Sequence, residues 1–199
     1  MISAQEGWSC FRLPGEYSEG VNKTELIGYL ERLDRALAAP ATLHIYGSAA
    51  FMMLDEPDRT SLDIDVAAPY SNADLGDLRQ AAAVAGLPLN PDDNAAVDHL
   101  EWISSLRLCL PKPNPATDLV LWQGGRLTVK TGSIPQLIAS KLIRYDDIDR
   151  SDIQYVCRQT SVTVSTVDEL PPPFNRDPVV LENLENFRVD WKLWGEGGA

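Results

Sequence analysis

LHIYGSAAFMMLDEPDRTSLDIDV, residues Leu43 to Val66, decides the fold of this chain. The stretch opens on a short apolar run, Leu43 and Ile45, that ends at Gly47-Ser48. An apolar segment from Ala49 to Leu54 follows, and then an acidic, proline-containing turn from Asp55 to Arg59. It closes on Leu62-Asp63-Ile64-Asp65-Val66, where apolar and acidic residues alternate strictly. That is the period of a strand, so Leu62, Ile64 and Val66 are expected to face the core and both acids the opposite side. Neighbouring carboxylates repel unless a cation sits between them. Hard oxygen ligands of this kind suit Mg2+, whose octahedron substrate phosphates commonly complete.

Gly47 and Ser48 fall where a strand hands over to a helix. Backbone N–H groups there can hold a phosphate, and glycine removes the side chain that would block its approach. The pair alone is equally compatible with a tight turn and a simple cap; the downstream Asp-x-Asp favours phosphate. Arg59 and Thr60 lead into the acidic strand. Arg59 reads more readily as a surface partner of Asp58 or Glu56 than as a phosphate ligand.

Working outward, Leu26, Ile27, Leu30, Leu33 and Leu37 recur at helical spacing between Lys23 and Ala39. Asn22 and Glu25 form a capping box, and Pro40 stops the helix. Residues 1–21 read as an irregular arm whose Trp8 and Phe11 pack on the body. A second helix is predicted over 73–86, ended by Gly86. Leu106, Leu108 and Leu110 look like one face of a strand, and His99 like a surface or satisfied histidine. Gln123-Gly124-Gly125 is a hairpin turn, with glycine supplying positive backbone angles. Helices are predicted over 134–143, from Ser161 to Leu170, and in a tail from Val179 to Trp194 that docks on its own domain or on a partner. Pro171-Pro172-Pro173 is a stiff spacer. The chain thus divides into an arm (1–21), an α/β core (22–133), a helical part (134–170) and a spacer with docking tail (171–199).

The net charge of -12, from 17 basic and 29 acidic residues, argues against a stable grip on duplex DNA. No apolar run is long enough to span a membrane, and the N-terminus lacks the pattern of a secretory signal. Cys10, Cys109 and Cys157 are widely spaced, as expected of reduced thiols in a cytoplasmic protein.

A Gly-Ser pair at a helix start, followed by Arg-Thr-x-x-Asp-x-Asp on a strand, resembles the nucleotidyltransferase (polymerase beta-like) superfamily, and within it the small bacterial AbiEii toxin-like group. Pro135 to Ile153, PQLIASKLIRYDDIDRSDI, is similar to that group's downstream helical signature. The resemblance covers residues 22–160. It implies a mixed sheet with flanking helices and a mostly helical C-terminal part. It also implies transfer of a nucleoside monophosphate from a nucleoside triphosphate to a hydroxyl on an RNA 3' end, a protein or a small molecule. Asp63 and Asp65 would hold Mg2+; Gly47, Ser48, Arg59, Thr60 and Lys141 would meet the nucleotide; Arg144, Asp149 and Asp152 would support them. A toxin with an antitoxin partner follows from the same likeness. Members with activity use a third carboxylate on a neighbouring strand. Arg107 and Cys109 stand where one is expected, so Asp118 is the best substitute and Glu101 a poorer one. The alternatives are a catalytically inactive relative that binds nucleotide or a partner, and a phosphate-free structural reading in which Asp63 and Asp65 merely pair with Arg59 and Lys141.

Overall fold

Capping sets the first helix, α1 (Lys23–Ala36). The Asn22 side chain accepts from the Glu25 N–H at 3.0 Å, and the Glu25 carboxylate accepts from the Asn22 N–H at 3.1 Å. Leu26, Leu30 and Leu33 then fall on one face and are buried, each contributing roughly 2 kcal/mol relative to exposure. This computed structural model describes residues 20–57, 59–92, 97–104, 112–160, 167, 170 and 174–196. Residues 1–19 of the arm, the expected strand from Leu106 to Leu110, the triple proline and nearly all of the helix expected from Ser161 lie outside the described residues.

The protein is mixed α+β. Strand β1 (Ala41–His44) leads through Gly47 into α2 (Gly47–Met53), a short helix with a wholly buried Ala49–Met53 run. Next comes β2 (Asp63–Ala67), then α3 (Leu75–Ala85), closed by Gly86 at φ +77°. Strand β3 (His99–Ile103) follows, then β4 (Leu119–Gln123) and β5 (Leu127–Thr131). One sheet has the order β1-β5-β4, with β1 parallel and β4 antiparallel to β5; the other pairs β2 and β3 in parallel. An antiparallel bridge, Ile45 to Val66, and a hydrogen bond from the Tyr46 N–H to the Asp65 carbonyl at 2.9 Å join the two sheets. That junction sets the end of β1 beside the acidic strand.

Two local expectations are corrected. Leu62 is 37% exposed, because β2 begins only at Asp63 and the core side starts with Ile64. The β4–β5 turn does not use positive angles at Gly124 or Gly125. Its glycines matter for space: a Cβ on Gly124 would run into the Asp34 carboxylate and the Trp122 ring. Asp34 caps that turn by accepting from the Gly125, Arg126 and Leu127 N–H groups at 3.1, 2.7 and 2.7 Å.

The C-terminal part is helical: α4 (Ile134–Lys141), α5 (Asp147–Gln159) and α6 (Pro178–Glu196). Both α4 and α5 pack on α2, with Leu137, Ile138 and Ile153 buried. Helix α6 docks on its own chain. Asp190 takes the Tyr145 hydroxyl at 2.8 Å and a forked pair from Arg150 at 2.9 and 3.1 Å, while the Asn183 amide donates to the Leu142 carbonyl. Phe187 is fully buried beneath Trp191 and Trp194. Among the described residues no helix is long and apolar enough to cross a membrane.

Candidate functional site

Strand alternation carries Asp63 and Asp65 to one side of β2 while Ile64 and Val66 go to the core. The parallel register places Asp65 opposite Glu101 of β3, so Glu101 emerges on the same face. One carboxylate oxygen from each of Asp63, Asp65 and Glu101 lies within 4.8 Å of the other two. At that spacing like charges repel by roughly 3 kcal/mol per pair at an effective dielectric of about 20, which a divalent cation between them relieves. Ser61 donates to Asp63 at 3.1 Å.

Gly47 is required here for two reasons. It sits at φ +61°, and a Cβ on it would collide with Oδ2 of Asp65. A glycine therefore lets the acid lie directly against the strand-to-helix turn. Tyr46, the residue before α2, makes no side-chain cap, and with only seven residues α2 has little dipole to offer a ligand. Ser48 is half-buried and accepts from Nη2 of Arg59 at 2.5 Å.

These groups open on a cleft of about 460 Å3 between β2, β3, α2 and α4. Asp63, Asp65, Glu101, Gly47 and Ser48 line one side; Lys141, Arg144 and Asp149 line the other, with Tyr46, Ile103, Ile143 and Phe174 supplying apolar wall. That second wall carries an ionic network in which Lys141, Asp149 and Asp152 are buried and Arg144 is exposed. Lys141, 5% exposed, reaches Asp149 at 2.8 Å and Asp152 at 2.6 Å, with its ammonium 5.2 Å from the centre of the Phe51 ring. Arg144 makes a forked pair with Asp149, both bonds 3.0 Å long. Burial favours the neutral Asp149 carboxyl, but the hydrogen bonds from Arg144 and the charge of Lys141 outweigh it and hold Asp149 below the usual carboxylate range. Lys141 is thus already neutralised by two acids.

Arg59 turns inward rather than along the surface. Its Nη2 touches Ser48 and lies 3.3 Å from the fully buried Asp152. Glu56 faces Asp152 carboxyl to carboxyl, and burial together with that contact pushes it up to about 8. One oxygen of each is buried without a donor among the described residues, which a shared proton would satisfy. Thr60 is exposed and borders, with Arg59, a second cavity that has no lining residue in common with the cleft.

The structure therefore brings together Asp63, Asp65, Gly47, Ser48, Lys141, Arg144 and Asp149 around the cleft, with Asp152 behind Lys141. It leaves Asp118 and Thr60 apart. Asp118 precedes β4, at the edge of the other sheet, and accepts from the Asn114 N–H at 3.1 Å. Glu101 stands in the third position. Its signal was a lone acid in the apolar stretch His99–Ile103, but its place beside Asp65 depends on a register between distant strands. His99 is buried, with Nδ1 2.9 Å from the Val97 carbonyl. Compared with protein-family models, with curated proteins and with solved structures, the chain matches none.

Proposed function

We propose that this protein is a metal-dependent nucleotidyltransferase-like protein that takes a nucleoside triphosphate in the cleft beside β2. The observation that carries the reading is the convergence of Asp63, Asp65 and Glu101 within 4.8 Å, next to a glycine whose missing Cβ makes room for Asp65. The donor set is all oxygen and anionic, which fits Mg2+ and not a soft metal. Bound there, Mg2+ would supply Lewis-acid chemistry, offsetting polyphosphate charge and lowering the pKa of the attacking hydroxyl.

The chain's own residues do the rest. The Ser48 hydroxyl donates to a phosphate oxygen, and Tyr46, Ile143 and Phe174 give the nucleoside apolar surface. Asp149 and Asp152 hold Lys141 in the cleft wall, where it lends field rather than a free contact. An acceptor hydroxyl gives up its proton to solvent and attacks the α-phosphorus in line, the new P–O bond forming as the bond to pyrophosphate breaks; an RNA 3' end, a protein hydroxyl and a small molecule all meet this chemistry. A cytoplasmic toxin neutralised by an antitoxin is the setting the resemblance supplies.

The test is incubation with labelled nucleoside triphosphates, Mg2+ and total RNA or protein. Label transfer is expected from the wild type and not from the Asp63→Asn/Asp65→Asn variant; equal transfer by both removes the catalytic reading. The neutralisation of Lys141 favours a second reading, a relative that binds nucleotide without turning it over. In that case nucleotide with Mg2+ raises the unfolding temperature, because it binds only the native state, and no label moves.

A further inference from the structure

Ser48 and Arg59 meet across the wall between two cavities. Ser48 lines the cleft that holds the three acids, whereas Arg59 lines the second cavity. Nη2 of Arg59 donates to Oγ of Ser48 at 2.5 Å and lies 3.3 Å from Oδ2 of Asp152. Asp152 is fully buried and is itself held by Lys141 at 2.6 Å. The Arg59 side chain is only 17% exposed, is tied to Asp152, and lines the second cavity rather than the cleft, so it meets the serine from outside the cleft. A serine hydroxyl has one proton to give and two lone pairs to receive. Here one lone pair receives a charged donor, so the hydroxyl proton points away from Arg59 and is there to be given elsewhere.

We propose that Arg59 is a positioning residue: by donating to Oγ of Ser48 from behind, it leaves the hydroxyl proton turned into the cleft, aimed at a phosphate oxygen of the substrate. The inference rests on the nucleotide reading above. A charge-assisted bond into Oγ also polarises the O–H and strengthens its own donation. Asp152 keeps the guanidinium from swinging forward to meet the phosphate itself. Arg59 thus acts through Ser48 and not by direct contact, which makes the two residues one unit towards the ligand.

The experiment is a double-mutant cycle read by titration calorimetry with Mg2+ and inorganic tripolyphosphate, a probe without a base. Ser48→Ala and Arg59→Gln are each expected to weaken binding by about tenfold, the loss of one hydrogen bond to a charged group. The double variant is expected to bind no worse than Ser48→Ala alone. Losses that multiply would overturn the inference, because Arg59 would then meet the phosphate directly or support the loop independently of Ser48. Wild-type affinity in Ser48→Ala would overturn it as well, and that variant removes only an oxygen. If the wild type takes up tripolyphosphate no better than Asp63→Asn/Asp65→Asn, the nucleotide reading fails and carries the inference with it. Binding by the wild type with uncoupled variants sinks the inference alone.

Discussion

Gly47 is the residue on which the site's geometry turns. Its φ of +61° strains any other side chain, and the place of a Cβ is occupied by the Asp65 carboxylate. Gly47→Ala should lower stability by about 1–3 kcal/mol in urea titration and weaken Mn2+ binding, used as a paramagnetic stand-in for Mg2+. Wild-type values for both would show that close approach of Asp65 is not what the glycine provides. Glu56 carries a different consequence. Burial and Asp152 raise it from an ordinary 4.5 to about 8, against the pull of Arg59 and Lys141. A native group that keeps its proton longer than the unfolded chain stabilises fully below the unfolded value. That stabilisation is lost as pH rises through the folded value. The wild type should therefore lose stability progressively between about pH 4.5 and 8, whereas Glu56→Gln, which cannot ionise, should not share that decline. Thermal unfolding of both from pH 5 to 9 checks this; a difference between them that stays constant across the range contradicts it.

At the level of elements, the β4–β5 hairpin and α1 are held together through one side chain. Asp34 extends from α1 and caps three consecutive N–H groups of the turn. Burial favours the neutral acid, but the three backbone donors outweigh it and lower the carboxyl below its usual value of 3.8. The stability it lends is present above that value and disappears in acid. Asp34→Ala should cost about 2 kcal/mol at neutral pH by stripping the turn of its acceptor, and the gap from wild type should narrow as pH falls below 3.8. A gap that does not narrow in acid would point to packing rather than to the carboxylate. The capping box of α1 and the glycine that ends α3 were legible in the sequence, because each is a contact within a few residues. The partner of the hairpin was not, since Asp34 and Arg126 are adjacent only after β1 and β5 have paired.

For the molecule as a whole, α6 locks the helical part to itself through Asp190, which joins Tyr145 at the α4–α5 turn to Arg150 of α5. Tyr145 holds a left-handed backbone angle of 53° to make that reach. Asp190→Ala should free α6 while leaving the β2–β3 acids in place. Faster amide exchange in α6 than in β2 and β3 is the expected result by mass spectrometry. Equal acceleration everywhere would mean that the tail is integral to the core and not a docked element.

Read alone, the sequence determined whatever is local in cause. The alternation at Leu62 to Val66 placed Asp63 and Asp65 on one face, the Gly-Ser pair marked the strand-to-helix turn, and helical spacing located α1, α3, α4 and α6, because periodicity and capping act over a few residues. Tertiary structure decided what depends on register and on burial. Glu101 rather than Asp118 completes the acidic group because β2 and β3 pair in parallel with Asp65 opposite Glu101. Arg59 turns inward because the fully buried Asp152 offers it a charge there. Strand partners far apart in the chain, and the cost of leaving a buried carboxylate without a cation, are settled only when the whole core closes.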